Sequence, residues 1–317
     1  MKIADEHGKH ANPHRSVRRL RTIAVLPTML TLANMLCGFA AVYLCMLGLI
    51  AAFTGVGADA KTTLNNQYIE NLLPTYVSVG GVLIFLGMFF DGMDGRVARM
   101  TTGTTNFGGQ LDSLADMVTF GIAPAMLVVV MILTGQHEGL QGPFIKQRIA
   151  WVAGAVYVSC CGLRLARFNV EHAEGDLKHT RFFGLPSPGA AALVASLVIL
   201  HEHVAEARGM VLVNSLPVIT VIAGMLMVSR VQYVHVGNTY LRGRKPWGYG
   251  VLMVLVAGTF IAAPSPTLAG IVAIYVLSGP INTLFKKKKR KHTPESKSQT
   301  AEATADASGP SQSNSAS

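Results

Sequence analysis

Long apolar runs, separated by short polar segments, dominate this 317-residue chain. About 20 predominantly apolar residues are enough for an α-helix to cross the hydrocarbon core of a bilayer. Runs of that length lie near residues 27–53, 75–98, 111–134, 149–170, 185–204, 211–229, 248–264 and 267–285. Only 14% of the residues are charged and the mean hydropathy is +0.39, which excludes an ordinary soluble globular protein. We therefore expect an all-α polytopic membrane helix bundle with about eight transmembrane helices.

Four aspartates border these runs within 26 residues: Asp91, Asp94, Asp112 and Asp116. A carboxylate near hydrocarbon is costly unless it is paired, hydrated or metal-bound. The spacings of three and four residues place each pair on one helical face, and the polar residues 101–106 predict a turn between two helices. Both pairs should then meet at the closed end of a helical hairpin. Two divalent cations, Mg²⁺ or Mn²⁺, suit such an all-oxygen cluster and cancel its charge.

Residues around the aspartates predict the ligand that the metal would hold. Gly95 and Gly108 lack side chains where a bulky partner must approach, and Ala98 keeps its face shallow. Arg99 offers a forked cation that suits phosphate. A metal-bound diphosphate is the partner that fits. Isolated aspartates at helix ends are usually caps or solvated residues, but four at this spacing, with the glycines and the arginine, indicate a shared site.

The whole pattern reads D-x2-D-G-x2-A-R-x8-G-x3-D-x3-D over residues 91–116 and resembles the signature of the CDP-alcohol phosphotransferases without a departure. Within that family, the stretches at 111–125, 182–191 and 227–230 look like those of the membrane-bound phosphatidylserine synthases, and this resemblance covers about residues 17–233. It implies transfer of a phosphatidyl group from CDP-diacylglycerol to the hydroxyl of L-serine, with release of CMP. It also implies a homodimer. Asp116 is our candidate general base, because serine needs a base within hydrogen-bond reach.

Polar residues elsewhere are candidates for substrate contacts. Thr31 and Asn34 lie three residues apart on one face of the first span, where they either bond a neighbouring helix or hold the cytidine and its phosphates. Arg164 and Arg167 lie one turn apart at the end of the fourth span. They either anchor at headgroups or, with Asn169, bind a phosphate or the serine carboxylate. Ser187 lies at the irregular start of the fifth span, in one of the stretches that carry the resemblance.

All but four of the 27 Lys and Arg residues fall on one side of the expected membrane topology. The positive-inside tendency then predicts an integral protein of the cytoplasmic (inner) membrane, with both termini and the aspartates facing the cytoplasm. The net charge of +10 comes from residues spread around that rim. Basic runs at 15–21 and 286–291 favour anionic membrane lipids as partners over nucleic acid.

Four regions are expected along the chain: a basic cytoplasmic segment at 1–26 that includes a possible interfacial helix, a transferase core at 27–233, two additional spans at 234–285, and a basic, then disordered, tail at 286–317. Alternative functions stay open. The signature also serves glycerol phosphate, inositol phosphate or choline as acceptors. Intramembrane acids also mark cation transporters, although here the acids are confined to one hairpin.

Overall fold

A computed structural model describes residues 13–54, 75–100, 106–134, 143–173, 184–204, 206–231, 233 and 257–291. Nearly all of them are helical. The helices are α1 (Pro13–Thr54), α2 (Tyr76–Met100), α3 (Asn106–Asp116), α4 (Ala123–Thr134), α5 (Pro143–Ala173), α6 (Ser187–His201), α7 (Glu206–Val228) and α8 (Pro264–Lys291), and a π-helical segment at Met117–Ile122 joins α3 to α4. Residues 257–262 are also helical.

Six of these segments are long and apolar enough to cross a membrane: Leu26–Thr54, Tyr76–Val97, Phe107–Thr134, Gln147–Glu171, Gly209–Val228 and Pro264–Thr283. The all-α polytopic bundle is therefore confirmed. The predicted run at 185–204 forms a shorter apolar helix, Ser187–His201. Most of the run at 248–264 lies outside the described residues.

The start of α6 explains why that helix is short. Gly184 has a φ of 88°, a left-handed conformation that glycine adopts readily, and a side chain there would collide with the Met227 carbonyl. The Gly184 N–H bonds the Val231 carbonyl at 2.8 Å, and the Leu185 N–H bonds the Leu226 carbonyl at 2.9 Å. The chain therefore enters α6 in a fixed position against the end of α7.

The rod formed by α3, the π-helical segment and α4 lies at the centre of the bundle. In its most apolar window, 61% of the residues are buried, against 22–39% for the other spans. Phe120, Leu127 and Val128 are fully buried, and they pack with α1, α2, α5 and α6. The core thus surrounds the rod that carries two of the aspartates.

The basic segment and the first span are continuous, because α1 begins at Pro13 and runs to Thr54. Pro27 lies inside this helix without ending it. Side chains are described from Leu26 onward, so the predicted contact of the basic segment with lipid stays a prediction. At the other end, α8 extends to Lys291, and the predicted disordered tail beyond it lies outside the described residues.

Candidate active site

Three carboxylates from two helices converge at one end of the bundle. Asp91 on α2 and Asp112 and Asp116 on α3 each offer an oxygen, and these three atoms lie within 4.8 Å of one another. The spacing of four residues aligns Asp112 with Asp116 on α3. Helix α1 packs against both α2 and α3, and this arrangement places Asp91 beside them. The structure therefore brings together three of the four predicted metal ligands.

Asp94 lies one turn beyond Asp91 and outside that group of three. Its side chain is buried, and its Oδ2 accepts a hydrogen bond from the Thr31 hydroxyl at 3.0 Å. The same hydroxyl also lies 3.0 Å from the Pro27 carbonyl. Asp94 remains within electrostatic range of Asp116. Thr31 on α1 thus fixes the position of the fourth carboxylate next to the other three.

Asn34 holds Asp116 from the opposite side. It is fully buried, and its Nδ2 donates to Oδ1 of Asp116 at 3.2 Å. The backbone carbonyl of Asn34 accepts a hydrogen bond from the Thr119 hydroxyl at 2.9 Å. Both polar residues of α1 therefore contact aspartates, as expected if their role is to bond neighbouring helices. Whether they also contact a nucleotide stays a prediction.

Gly87, which the sequence analysis did not select, allows this close packing. A β-carbon there would lie 2.6 Å from Cγ2 of Thr119 and 2.9 Å from Oδ1 of Asn34. Both distances are too short for a real side chain, so only glycine lets α2 approach α1 at this point. The sequence signal for this close helix packing was a glycine inside an apolar span, one turn before Asp91.

The π-helical segment directly follows Asp116, and the sequence analysis missed it too. The Ala123 N–H bonds the Val118 carbonyl, five residues back. In an α-helix the Phe120 carbonyl would accept from residue 124, but Pro124 has no N–H. The Tyr157 hydroxyl on α5 donates to that carbonyl at 3.1 Å. Pro124 was the sequence signal for this irregularity. Short π-helical segments are frequent at functional sites.

The end of α5 contributes Arg164, Arg167 and Asn169, which occupy different environments. Asn169 accepts a hydrogen bond from Ser113 at 3.0 Å, so it ties α5 to α3. Arg167 is exposed and pairs with Glu171 at 2.7 Å. Arg164 is half-buried and within electrostatic range of Asp116, and in the described part of the chain its Nε has no hydrogen-bond partner. Of these two arginines, Arg164 is therefore the one whose guanidinium is available to an anionic ligand.

The remaining candidates are placed less completely. A β-carbon on Gly95 would meet no atom of the described residues within 4 Å, so this side of the glycine suits the approach of a ligand. Gly108 is half-buried on α3, and Ser187 is buried at the first residue of α6. The side chains of Ala98 and Arg99 lie outside the described residues, as does the predicted turn at 101–105. Their assigned roles stay predictions.

The donor set fits a divalent metal ion. All the converging atoms are carboxylate oxygens, the ligand type that Mg²⁺ and Mn²⁺ prefer. Oδ1 of Asp112 is buried and has no hydrogen-bond partner among the described residues. A buried acceptor without a donor is costly, and a cation would satisfy it. The cluster can therefore hold a metal ion.

Comparison with known proteins identifies the family. The family model for CDP-alcohol phosphatidyltransferase matches residues 24–281. The chain belongs to the CDP-alcohol phosphatidyltransferase family. Membership makes this protein an enzyme and argues against the cation-transporter alternative. The matched range includes every candidate site residue and extends past residue 233, where the predicted core ends, into α8.

Several relatives in this family carry the name CDP-diacylglycerol–serine O-phosphatidyltransferase. The protein from Helicobacter pylori strain 26695 is 31% identical over 205 residues, 64% of this chain and 78% of the relative. The Methanocaldococcus jannaschii protein is 34% identical over 152 residues, 48% of this chain and 61% of the relative. The Saccharomyces cerevisiae protein is 35% identical over 160 residues, 49% and 51% respectively.

Proposed function

We propose that this protein transfers the phosphatidyl group from CDP-diacylglycerol to the hydroxyl of L-serine and releases CMP. The main observation behind this proposal is the convergence of Asp91, Asp112 and Asp116, whose carboxylate oxygens lie within 4.8 Å of one another. Relatives of the chain in this family are named CDP-diacylglycerol–serine O-phosphatidyltransferase. The site is built from two membrane-spanning helices, so a lipid-linked diphosphate can reach it from the bilayer. Location and donor chemistry support the same reaction.

The proposed chemistry is a direct displacement at phosphorus. The serine hydroxyl oxygen attacks the phosphorus that bears the diacylglycerol, and the bond from that phosphorus to the oxygen of the CMP phosphate breaks. The electron pair leaves with CMP. The hydroxyl proton passes to a carboxylate, and Asp116 is our candidate for this general base. These steps account for the bond formed, the bond broken and the proton without a covalent enzyme intermediate.

Asp116 has the surroundings that a positioned base requires. Asn34 donates to its Oδ1, which leaves Oδ2 available for a proton or a metal ion. Burial in the bundle excludes bulk water from the carboxylate, which strengthens its electrostatic interactions. Asn34 is a positioning residue in this proposal, because it acts through Asp116.

We assign Asp91, Asp94, Asp112 and Asp116 as the metal ligands, with two Mg²⁺ or Mn²⁺ ions as the bound cations. When bound, these ions would neutralise charge on the diphosphate and on the departing CMP. Thr31 supports this arrangement because its hydroxyl orients Asp94.

The nucleotide is assigned to the open side of the hairpin. Gly95 supports this placement, since no atom of the described part of the chain lies within 4 Å of where its β-carbon would be. We also assign Ala98, Arg99 and Gly108 to nucleotide binding because they belong to the sequence signature. Arg99 would be the cation that contacts a phosphate. Thr31 and Asn34 contact Asp94 and Asp116 from α1, and their assignment to the cytidine or its phosphates rests on this closeness to the aspartates.

Arg164 is our candidate for holding the serine carboxylate. Its side chain is half-buried and in electrostatic range of Asp116, and its buried Nε lacks a hydrogen-bond partner in the described part of the chain. A carboxylate would supply that partner. Arg167 is already paired with Glu171, so its predicted role in acceptor binding is the weaker one. Asn169 and Ser187 remain secondary candidates.

The Lys and Arg distribution supports an inner-membrane protein with the aspartates and both termini in the cytoplasm, where serine and CMP are soluble. The transferase core is assigned to residues 27–233, with the basic segments at either end as contacts for anionic lipids. A homodimer is proposed from the family resemblance alone.

The proposal is tested with purified protein, CDP-diacylglycerol and Mg²⁺ or Mn²⁺, while CMP release is measured for serine, glycerol phosphate, inositol phosphate and choline. We expect release with serine and formation of phosphatidylserine, and loss of both in Asp91→Asn and Asp112→Asn. Glu171→Gln is the matched control, since Glu171 is an exposed carboxylate outside the cluster. Faster release with another acceptor than with serine would reassign the substrate within the family.

A further inference from the structure

Two apolar grooves on the outside of the bundle share one arginine, Arg148, near the start of α5. The α5–α7 groove has a volume of about 410 Å³ and is lined by Val152, Ala153, Pro217 and Val218, among others. The α4–α5 groove has a volume of about 350 Å³ and is lined by Val129, Leu133, Gln147 and Trp151. Arg148 lines both, so a cation stands between two apolar channels.

Arg148 is far from the aspartates. It precedes Asn169 by 21 residues on the continuous helix α5, which corresponds to about 32 Å along the helix axis. Asn169 contacts Ser113 on α3, close to the carboxylate cluster. The hydrocarbon core of a bilayer is about 30 Å thick. Arg148 and the aspartates therefore lie at opposite membrane surfaces, and a lipid at Arg148 is not the substrate in its reactive position.

We propose that these grooves bind an anionic phospholipid in the leaflet opposite the active site. The headgroup phosphate would bond the Arg148 guanidinium, whose planar donors match phosphate oxygens, and one acyl chain would lie in each groove. Among the described residues, no carboxylate pairs with Arg148. Basic pockets between membrane helices bind anionic lipid headgroups for this reason.

Exposure of the lining side chains supports a lipid occupant. Trp151 is 70% exposed, and Val152 and Val218 are 49% and 60% exposed. A tryptophan beside an arginine at the end of a span is typical of the membrane–water interface. One cation with two apolar channels matches the shape of a diacyl lipid, which has one charged headgroup and two chains.

The test uses Trp151 as the reporter. The chain contains two tryptophans, and the full-length Trp247→Phe variant leaves Trp151 as the sole emitter. Its fluorescence is titrated with phosphatidylglycerol or phosphatidylcholine carrying identical brominated chains, which quench on contact. We expect phosphatidylglycerol to quench at about fivefold lower concentration, the effect of one basic residue on an anionic lipid.

Four variants, made in the Trp247→Phe background, separate the parts of the site. Arg148→Gln should abolish the preference for phosphatidylglycerol, whereas Arg148→Lys should keep most of it. Val218→Phe should weaken quenching by filling the α5–α7 groove, whereas Val211→Phe should not. Val211 is the matched control, since it is 68% exposed on the same helix two turns earlier. CMP release from CDP-diacylglycerol and serine verifies folding in each variant.

Equal quenching by the two lipids, or a preference that survives in Arg148→Gln, overturns the headgroup assignment. Identical behaviour of Val218→Phe and Val211→Phe overturns the two-groove arrangement. Absence of quenching by either lipid means that protein covers this face, as a second copy of the chain would, and overturns the proposal as a whole.

Discussion

Neutralising Asp112 should stabilise the metal-free protein while removing its response to metal. With oxygens within 4.8 Å of one another, each pair of ionised carboxylates repels by about 3.5 kcal/mol at an effective dielectric constant of about 20. Asp112 takes part in two of the three pairs, so at this dielectric constant its neutralisation removes about 7 kcal/mol of repulsion. Water on the open side of the site lowers this figure, and we expect a gain of about 1 kcal/mol or more.

The assay is the apparent melting temperature in detergent, with EDTA or with added Mn²⁺. A gain of about 1 kcal/mol corresponds to roughly 2–4 °C, so Asp112→Asn should melt higher than wild type in EDTA. Wild type should rise on addition of Mn²⁺, because a ligand that binds only the folded state stabilises it. Asp112→Asn should respond weakly or not at all.

Glu171→Gln is the control, because it removes a carboxylate that is already paired with Arg167 on the surface. It should leave the response to Mn²⁺ intact. The reasoning fails if Asp112→Asn melts below wild type in EDTA, or if its stabilisation by Mn²⁺ equals that of wild type. The first result means that repulsion among the carboxylates does not destabilise the metal-free protein, and the second means that Asp112 does not help to bind the cation.

Three further substitutions test other parts of the site. Asn34→Ala should lower kcat for CMP release by about 10- to 100-fold, since a hydrogen bond to a charged group contributes about 1.5–3 kcal/mol; an unchanged kcat would remove Asn34 as a positioning residue. Gly87→Ala should destabilise the protein by about 1–3 kcal/mol through overpacking. Gly270→Ala should not, because a β-carbon there meets no atom of the described residues within 4 Å; thermal melting compares the two variants. Arg164→Gln should raise KM for serine more than tenfold without changing KM for CDP-diacylglycerol, and equal effects on both would point to a structural role.

The helices and the carboxylate cluster could be predicted because both depend on local spacing. Apolar runs of spanning length give helices in a bilayer whatever their neighbours, and spacing along a helix places Asp112 and Asp116 on one face. The convergence of Asp91 with them agrees with the predicted hairpin, whose turn at 101–105 lies outside the described residues. The separate position of Asp94 could not be predicted, because its contact with Thr31 depends on how α1 packs against α2.

Differences between similar residues also depended on packing. Arg164 and Arg167 are only three positions apart, yet Arg164 is half-buried with its Nε enclosed, whereas Arg167 pairs with Glu171 at the surface. Nothing in their spacing distinguishes them. The π-helical segment likewise needed the Tyr157 hydroxyl from another helix, so Pro124 alone predicted a disturbance but not its form.

The π-helical segment has a consequence for how the central rod can vary. It fits one more residue into a turn than an α-helix does, and each residue of an α-helix turns the chain by about 100°. Helix α4 can therefore adopt the rotation about its axis that suits its own packing. Helix α3 keeps the rotation that directs Asp112 and Asp116 toward Asp91. Deleting a single residue from this segment would couple the rotation of α4 to that of α3. Substitutions in the segment should therefore be tolerated far better than changes in its length.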